Sequence, residues 1–139
     1  MTTGHCIARP GSTPREGVEL SRSTLAVWVG SATALLSPLG EALARHVLIG
    51  ATVRGDDTAV PVLAPGTGKS RTARLWTYVH DEQPHGGEMS PGALFRYSPN
   101  RKGGHPQKQL KDFSGVLTAD GFAGFRALYD SGRVEEAAC

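Results

Sequence analysis

The sequence predicts a mixed α/β chain in which N-terminal helices precede a mixed sheet. Three observations carry that expectation. Apolar residues recur at helical spacing from Leu20 to Val47; after Gly50 the pattern changes to β-prone residues broken by Gly and Pro; and the composition is that of a globular chain. With 139 residues, 39% of them hydrophobic, the chain has material for one core or part of one. Its 18 Gly and 9 Pro promise many turns, without the period of a collagen or the bias of a low-complexity segment.

Residues 1–13, rich in Gly, Thr, Ser and Pro and lacking an apolar period, read as a disordered lead-in. Residues 14–50 read as a helical segment ahead of the core. Leu20, Leu25, Trp28 and Val29 form one helical stripe that Ser21 or Ser23 can cap. Leu35, Leu36, Leu39, Leu43 and Val47 form a second, with Pro38 in the first turn of its helix and Gly50 as its stop. From Thr52 to Leu63 the residues suit a strand, which breaks at Pro65-Gly66-Thr67-Gly68. Arg74–Val79 and Ala93–Tyr97 supply two more strands of an antiparallel meander. A short helix over 106–113, a strand over 115–119 and a helix from Phe122 to Tyr129 follow.

Several functional classes are weakened by composition and spacing. Fifteen Lys and Arg against thirteen Asp and Glu leave a formal charge of +2, so a nucleic-acid partner must be argued from local clusters. Cys6 and Cys139 have no zinc-site spacing, and reduced thiols of a cytoplasmic protein are the default. The uncharged stretch from Ser23 to Gly40 is too rich in Ser and Thr for a typical spanning helix and too deep for a leader, so no membrane partner is expected. Gly66-Thr67-Gly68-Lys69-Ser70 imitates a phosphate-binding P-loop, an alternative nucleotide-binding reading. Leu63 stands where that motif needs its first Gly, and strand-like residues follow where a helix should begin. Arg54-Gly55-Asp56 spells an integrin-binding tripeptide of negligible weight, and His80, His85 and His105 read as solvated loop histidines.

Two acidic sites are more informative. Asp56-Asp57-Thr58 interrupts the first strand and Asp120-Gly121 closes the fourth, although carboxylates are poor strand formers. A strand, two antiparallel strands, a helix and a strand ending in Asp is the order of a ribonuclease-H-like fold, where strands one and four are adjacent and parallel. Asp56 and Asp120 would then meet in one cleft, while Asp57 would point away from it. Hard carboxylate oxygens at such a place suit Mg²⁺.

Five segments extend this reading. Pro14–Leu25 with Trp28-Val29, Asp56–Leu63, Gly68-Lys69 through Val79, Tyr97–Gly103 and Gly115–Phe125 resemble, in the same order, segments of insertion-sequence-66 family transposases. The resemblance covers about residues 14–139 and implies a DDE transposase, a partial ribonuclease-H-like domain over residues 51–139 that uses three acids and Mg²⁺, with Mn²⁺ as a substitute, to cut element ends and join them to target DNA. By position Asp56 is the first acid and Asp120 the second, as catalytic and metal-holding residues, while Asp57 stands where the family often has Glu. DNA is the implied partner, and homo-oligomers belong to the intact family. Lys69, Arg71, Arg101, Lys102 and Lys108 are candidate DNA-contacting residues.

The chain also departs from the pattern. Glu135 and Glu136 follow Asp120 by only 15 and 16 positions, too close for the family's third acid, and Arg54-Gly55 precedes Asp56 where a strand prefers apolar residues. The expectation is therefore a domain truncated at its C-terminus, lacking its last strand and inactive by itself. The alternative is a non-catalytic DNA-binding or oligomerising remnant.

Overall fold

The computed structural model describes residues 12–13, 18–64, 66–83 and 86–138, so residues 1–11 of the expected lead-in, Pro65 of the turn and His85 lie outside the described residues. Two compact units divide the chain, Met1–Gly40 and Glu41–Cys139. In the first, Ser12–Thr13 pairs antiparallel with Val18–Glu19. The helix α1, Arg22–Leu48, runs through the boundary. Ser21 caps it, its hydroxyl accepting the Thr24 amide at 3.1 Å.

Instead of two helices there is one, with Pro38 inside it. An interior proline removes one hydrogen bond and crowds the carbonyl four residues earlier, at a cost of about 3 kcal/mol. Strong helix formers surround it, Ala34-Leu35-Leu36 before and Glu41-Ala42-Leu43-Ala44 after, and helix continues on both sides. At 27 residues, α1 is by length and composition long and apolar enough to cross a membrane. Leaders and interior helices of soluble proteins share those properties.

The second unit holds a five-stranded mixed sheet built from β1 (Thr52–Ala64), β2 (Lys69–His80), β3 (Gly92–Ser98), β4 (Gly115–Ala119) and β5 (Val134–Ala138), in the order β3-β2-β1-β4-β5. β1, β2 and β3 form the antiparallel meander, and β4 lies parallel to β1 with Thr52 opposite Val116 and Gly55 opposite Ala119. The expected missing strand is present as β5, parallel to β4, so Glu135 and Glu136 lie within the sheet. Val134 supplies its buried anchor, and positive-φ Gly132 turns the chain into it.

One face of the sheet carries the core. Val53, Trp76, Tyr78, Leu94, Leu117 and Val134 alternate inward, as period two requires, and meet Val47 of α1 with Leu110, Phe113, Phe125 and Leu128. Each large side chain buried there contributes roughly 1.5–3 kcal/mol. Between β3 and β4 lies α2, Gly104–Gln109, shorter than expected; between β4 and β5 a 3₁₀ turn, Ala123–Phe125, leads into α3, Arg126–Tyr129. Trp76, Phe122 and Phe125 pack in tilted and edge-to-face arrangements with ring centroids 5.8 to 6.1 Å apart.

His80 corrects the expectation of a solvated loop histidine. It ends β2 fully buried, its Nδ1 donating to the Thr52 carbonyl at 3.2 Å. A Cβ at Gly50 would meet that ring, so the close packing of His80 requires glycine there. His105 is half-buried in α2, its Nε2 paired with Asn100 Oδ1 at 2.9 Å.

Candidate active site

Gly55 explains the unusual approach to the acidic pair. A Cβ there would stand 3.3 Å from Leu117 Cδ1 and 3.6 Å from the Tyr78 ring, so glycine lets β1 lie close to the core beside β4. The following residue, Asp56, is the next position in register with Asp120, just past Gly55 and Ala119. Both aspartates line one open hollow of about 590 Å³, together with Arg54, Thr77 and Thr118. Asp56 is exposed, and its Oδ1 accepts the Asp57 amide at 2.8 Å. The Asp120 side chain is half exposed.

Asp57, one step along β1, belongs to the opposite face. Its side chain is 2% exposed and flanked by two guanidinium groups: Arg74 Nη1 at 3.0 Å from Oδ2, an ion pair without an aligned hydrogen bond, and Arg101 Nη2 at 2.8 Å from Oδ1. Arg101 Nε also donates to Oδ1 at 2.9 Å. The same Nη2 reaches Asp120 Oδ2 at 3.0 Å, and the guanidinium lies 4.3 Å from the Phe122 ring centroid. The hydrogen bond to Asp57, ahead of the charges of Asp57 and Asp120, raises the Arg101 pKa still further. Nearby, burial pushes the Tyr78 hydroxyl well above its usual range, reinforced by the Asp57 charge, while it donates to Gln109 Oε1 at 2.7 Å.

The loop that carries Arg101 is built from the core outward. Trp76 Nε1 donates to Ser98 Oγ at 2.8 Å, Ser98 Oγ donates to the Asn100 carbonyl at 2.6 Å, and Asn100 Oδ1 accepts the Lys102 amide at 3.1 Å. Sequence reasoning treated Arg101 as one more surface cation and missed this bridge. An aromatic on the preceding strand and a Ser-Pro-Asn turn are signals for a fixed loop, but nothing in the sequence pairs the arginine with Asp57.

Of the other basic candidates, Lys102 and Lys108 are exposed near α2, and Lys69 and Arg71 are exposed on β2. Lys69 and Ser70 begin a strand, so the helix N-terminus that a P-loop uses to hold phosphate is not formed there. Among the described residues no group of three or more His, Cys, Asp or Glu gathers as a metal cage. Two hard carboxylates at one open hollow still fit a cation such as Mg²⁺, which usually keeps several waters.

Comparison with known proteins adds the family. The sequence pattern of the Transposase IS66 family matches residues 11–139. The chain is 43% identical over 113 residues to Uncharacterized protein y4hP of Sinorhizobium fredii, covering 81% of this chain and 20% of that relative. It is 38% identical over 114 residues to Uncharacterized protein y4qI of the same organism, covering 82% and 21%. A third relative from that organism, Uncharacterized protein y4jD, is 30% identical over 112 residues, covering 81% and 22%. The chain thus spans about one fifth of the length of the curated relatives it matches.

Proposed function

Since this chain belongs to the Transposase IS66 family, we propose that residues 51–139 form part of a ribonuclease-H-like catalytic domain for DNA transposition in which Asp56 and Asp120 hold a divalent cation. The observation that carries the reading is the register: two acids 64 positions apart in sequence come to adjacent parallel strands and line the same hollow. Mg²⁺, or Mn²⁺ in its place, is the cation such oxygens would hold; when bound it would activate water and offset charge on phosphate oxygens. Element ends and target DNA, met in the cytoplasm, are the proposed substrates.

The chain's own residues divide the work. Asp56 is the exposed oxygen donor. Asp120 is the second, and Arg101 is a positioning residue that restrains its carboxylate from the side. Asp57 is no ligand in this reading: buried against Arg74 and Arg101, it anchors the arginine that positions Asp120. With two carboxylates at the hollow and no third acid gathered beside them among the described residues, the chain by itself is proposed not to cut or join DNA. A cation left with mostly water ligands is loosely placed, and a misplacement of about 1 Å can cost about a hundredfold in rate.

Mn²⁺ binding to the purified chain, followed by the loss of the free-ion electron paramagnetic resonance signal, tests the site. Asp56→Asn and Asp120→Asn should each weaken binding at least about tenfold, as expected when a cation loses one of two charged ligands. Unchanged binding in both variants would overturn the assignment. Metal-dependent cleavage of labelled duplex by the chain alone, lost in Asp120→Asn, would overturn the proposed inactivity.

A further inference from the structure

β1 and β2 are longer than the sheet that contains them. β4 pairs with β1 only from Thr52 to Gly55, and β3 pairs with β2 only from Arg74 to His80. Beyond Ala59 and Arg74 the two strands pair, among the described residues, only with each other, through five rungs from Val60 opposite Ala73 to Ala64 opposite Lys69. At about 3.3 Å per residue this is a two-stranded ribbon extending roughly 16 Å past the sheet. Positive-φ Gly66 and Gly68 close its tip, and the Thr67 hydroxyl donates to the Ala64 carbonyl at 2.9 Å.

Charge is concentrated there. Residues 58–80 contain Lys69, Arg71 and Arg74 and no acid; the rest of the chain has 12 basic against 13 acidic residues, a balance of −1. The chain's positive balance of +2 therefore comes entirely from this segment. Arg74 at the base is spent on Asp57, whereas Lys69 and Arg71 are exposed. Register also sets their direction. Asp56 lies opposite Thr77, and successive alternate positions on that face are Leu75, Ala73, Arg71 and Lys69. The two cations thus continue the face that begins at Asp56.

We propose that this ribbon is a docking arm for double-stranded DNA, with Lys69 and Arg71 contacting the phosphates of the duplex whose strand reaches Asp56 and Asp120. The inference rests on the proposed function and adds a surface that the catalytic reading does not need. A two-stranded ribbon fits the major groove, and an exposed ribbon edge is otherwise a liability for aggregation that basic residues blunt. Arg71 stands opposite Val62 and Lys69 opposite Ala64, six and eight residues from Asp56 along β1. Those separations are roughly 20 and 26 Å, so the contacts fall about six and eight base pairs from the phosphate at the acids.

The test is fluorescence anisotropy of the chain with a labelled 20-base-pair duplex in EDTA, from about 50 to 200 mM salt. Lys69→Gln/Arg71→Gln should weaken binding about tenfold and lower the slope of log affinity against log salt by about 2. Lys69→Arg/Arg71→Lys should retain binding, and Lys111→Gln, at an exposed cation paired with Asp112, should change it less than about twofold. Equal affinity and slope in the ribbon variant and the unaltered chain would overturn the arm, as would failure of the unaltered chain to bind duplex. Concentration-dependent dimerisation that the ribbon variant abolishes, without an effect on DNA, would instead assign the edge to a second copy and overturn the proposal. Because EDTA removes divalent ions, failure here leaves the Mn²⁺ result at Asp56 and Asp120 standing, and failure there leaves this one standing.

Discussion

Between Thr52 and Gly55 the first strand pairs with β4, from Arg54 onward with β2 as well, and packs on the core, whereas between Val60 and Ala64 it pairs, among the described strands, with β2 alone. Val53 is fully buried in the first stretch, while Leu63 is 80% exposed in the second. Both stretches are β-prone, so propensity made the strand but tertiary contact gave its halves different work. The buried half presents an acid at a site, and the free half can carry charge to a partner without disturbing the core. Asp56 and Asp57 stand between them and repeat the contrast within one residue: one carboxylate faces solvent, the other is locked beneath two arginines.

The sharpest way to break this comparison is to truncate one leucine in each region. Leu117→Ala removes a fully buried side chain next to Gly55 and should destabilise the second unit by about 2–5 kcal/mol in a denaturant titration. Leu63→Ala should move the midpoint by no more than about 0.5 kcal/mol. Equal losses would mean that the ribbon contributes to the core after all.

A smaller difference should separate the two neighbouring acids. Asp57→Asn leaves Arg74 and Arg101 without their shared counter-charge. Because Arg101 is 38% exposed, the full penalty for breaking a buried pair is discounted to about 1–3 kcal/mol. Asp56→Asn should leave the unfolding midpoint unchanged while weakening Mn²⁺. If Asp57→Asn abolished Mn²⁺ binding without unfolding the chain, the roles assigned to the two acids would be reversed.

The smallest effect is one of pH, and it belongs to the body of the sheet. Tyr78 is raised by burial and then by the Asp57 charge, so the folded phenol stays neutral where the unfolded one ionises, above about pH 10. Its contribution is fully present below that pH and is lost as pH rises further. Thermal unfolding should therefore fall more steeply above pH 10 in the unaltered chain than in Tyr78→Phe. Tyr129, raised by burial and by Glu136 and Asp120, leaves a residual slope. Parallel curves for the two proteins would show that Tyr78 is not shielded as its surroundings imply.

How much of this was legible in the sequence follows from the range of the forces involved. The meander, the strand ending in Asp120 and the turn at Gly66–Gly68 are written in local alternation and turn chemistry, and each strand appears within a few residues of its expected place. Local signals misled where local cost and continuity conflict. Pro38 implied a new helix, but the helix formers on both sides continue as one. His80 looked solvated because turn residues follow it, although its place at the end of β2 buries it against Gly50.

The sequence by itself determined that the chain is mixed α/β, that its strands run in a ribonuclease-H-like order and that two acids terminate or interrupt neighbouring strands, because period two and turn residues are properties of short stretches. Only the tertiary structure decided that Arg101 ties Asp57 to Asp120, that β5 joins the sheet beside β4 and that the β1–β2 hairpin outruns its neighbours. Pairing between residues 44 or 64 positions apart is set by which strands lie adjacent and in what register, and a charge or an aspartate has the same local signature whether its partner is water or a buried guanidinium.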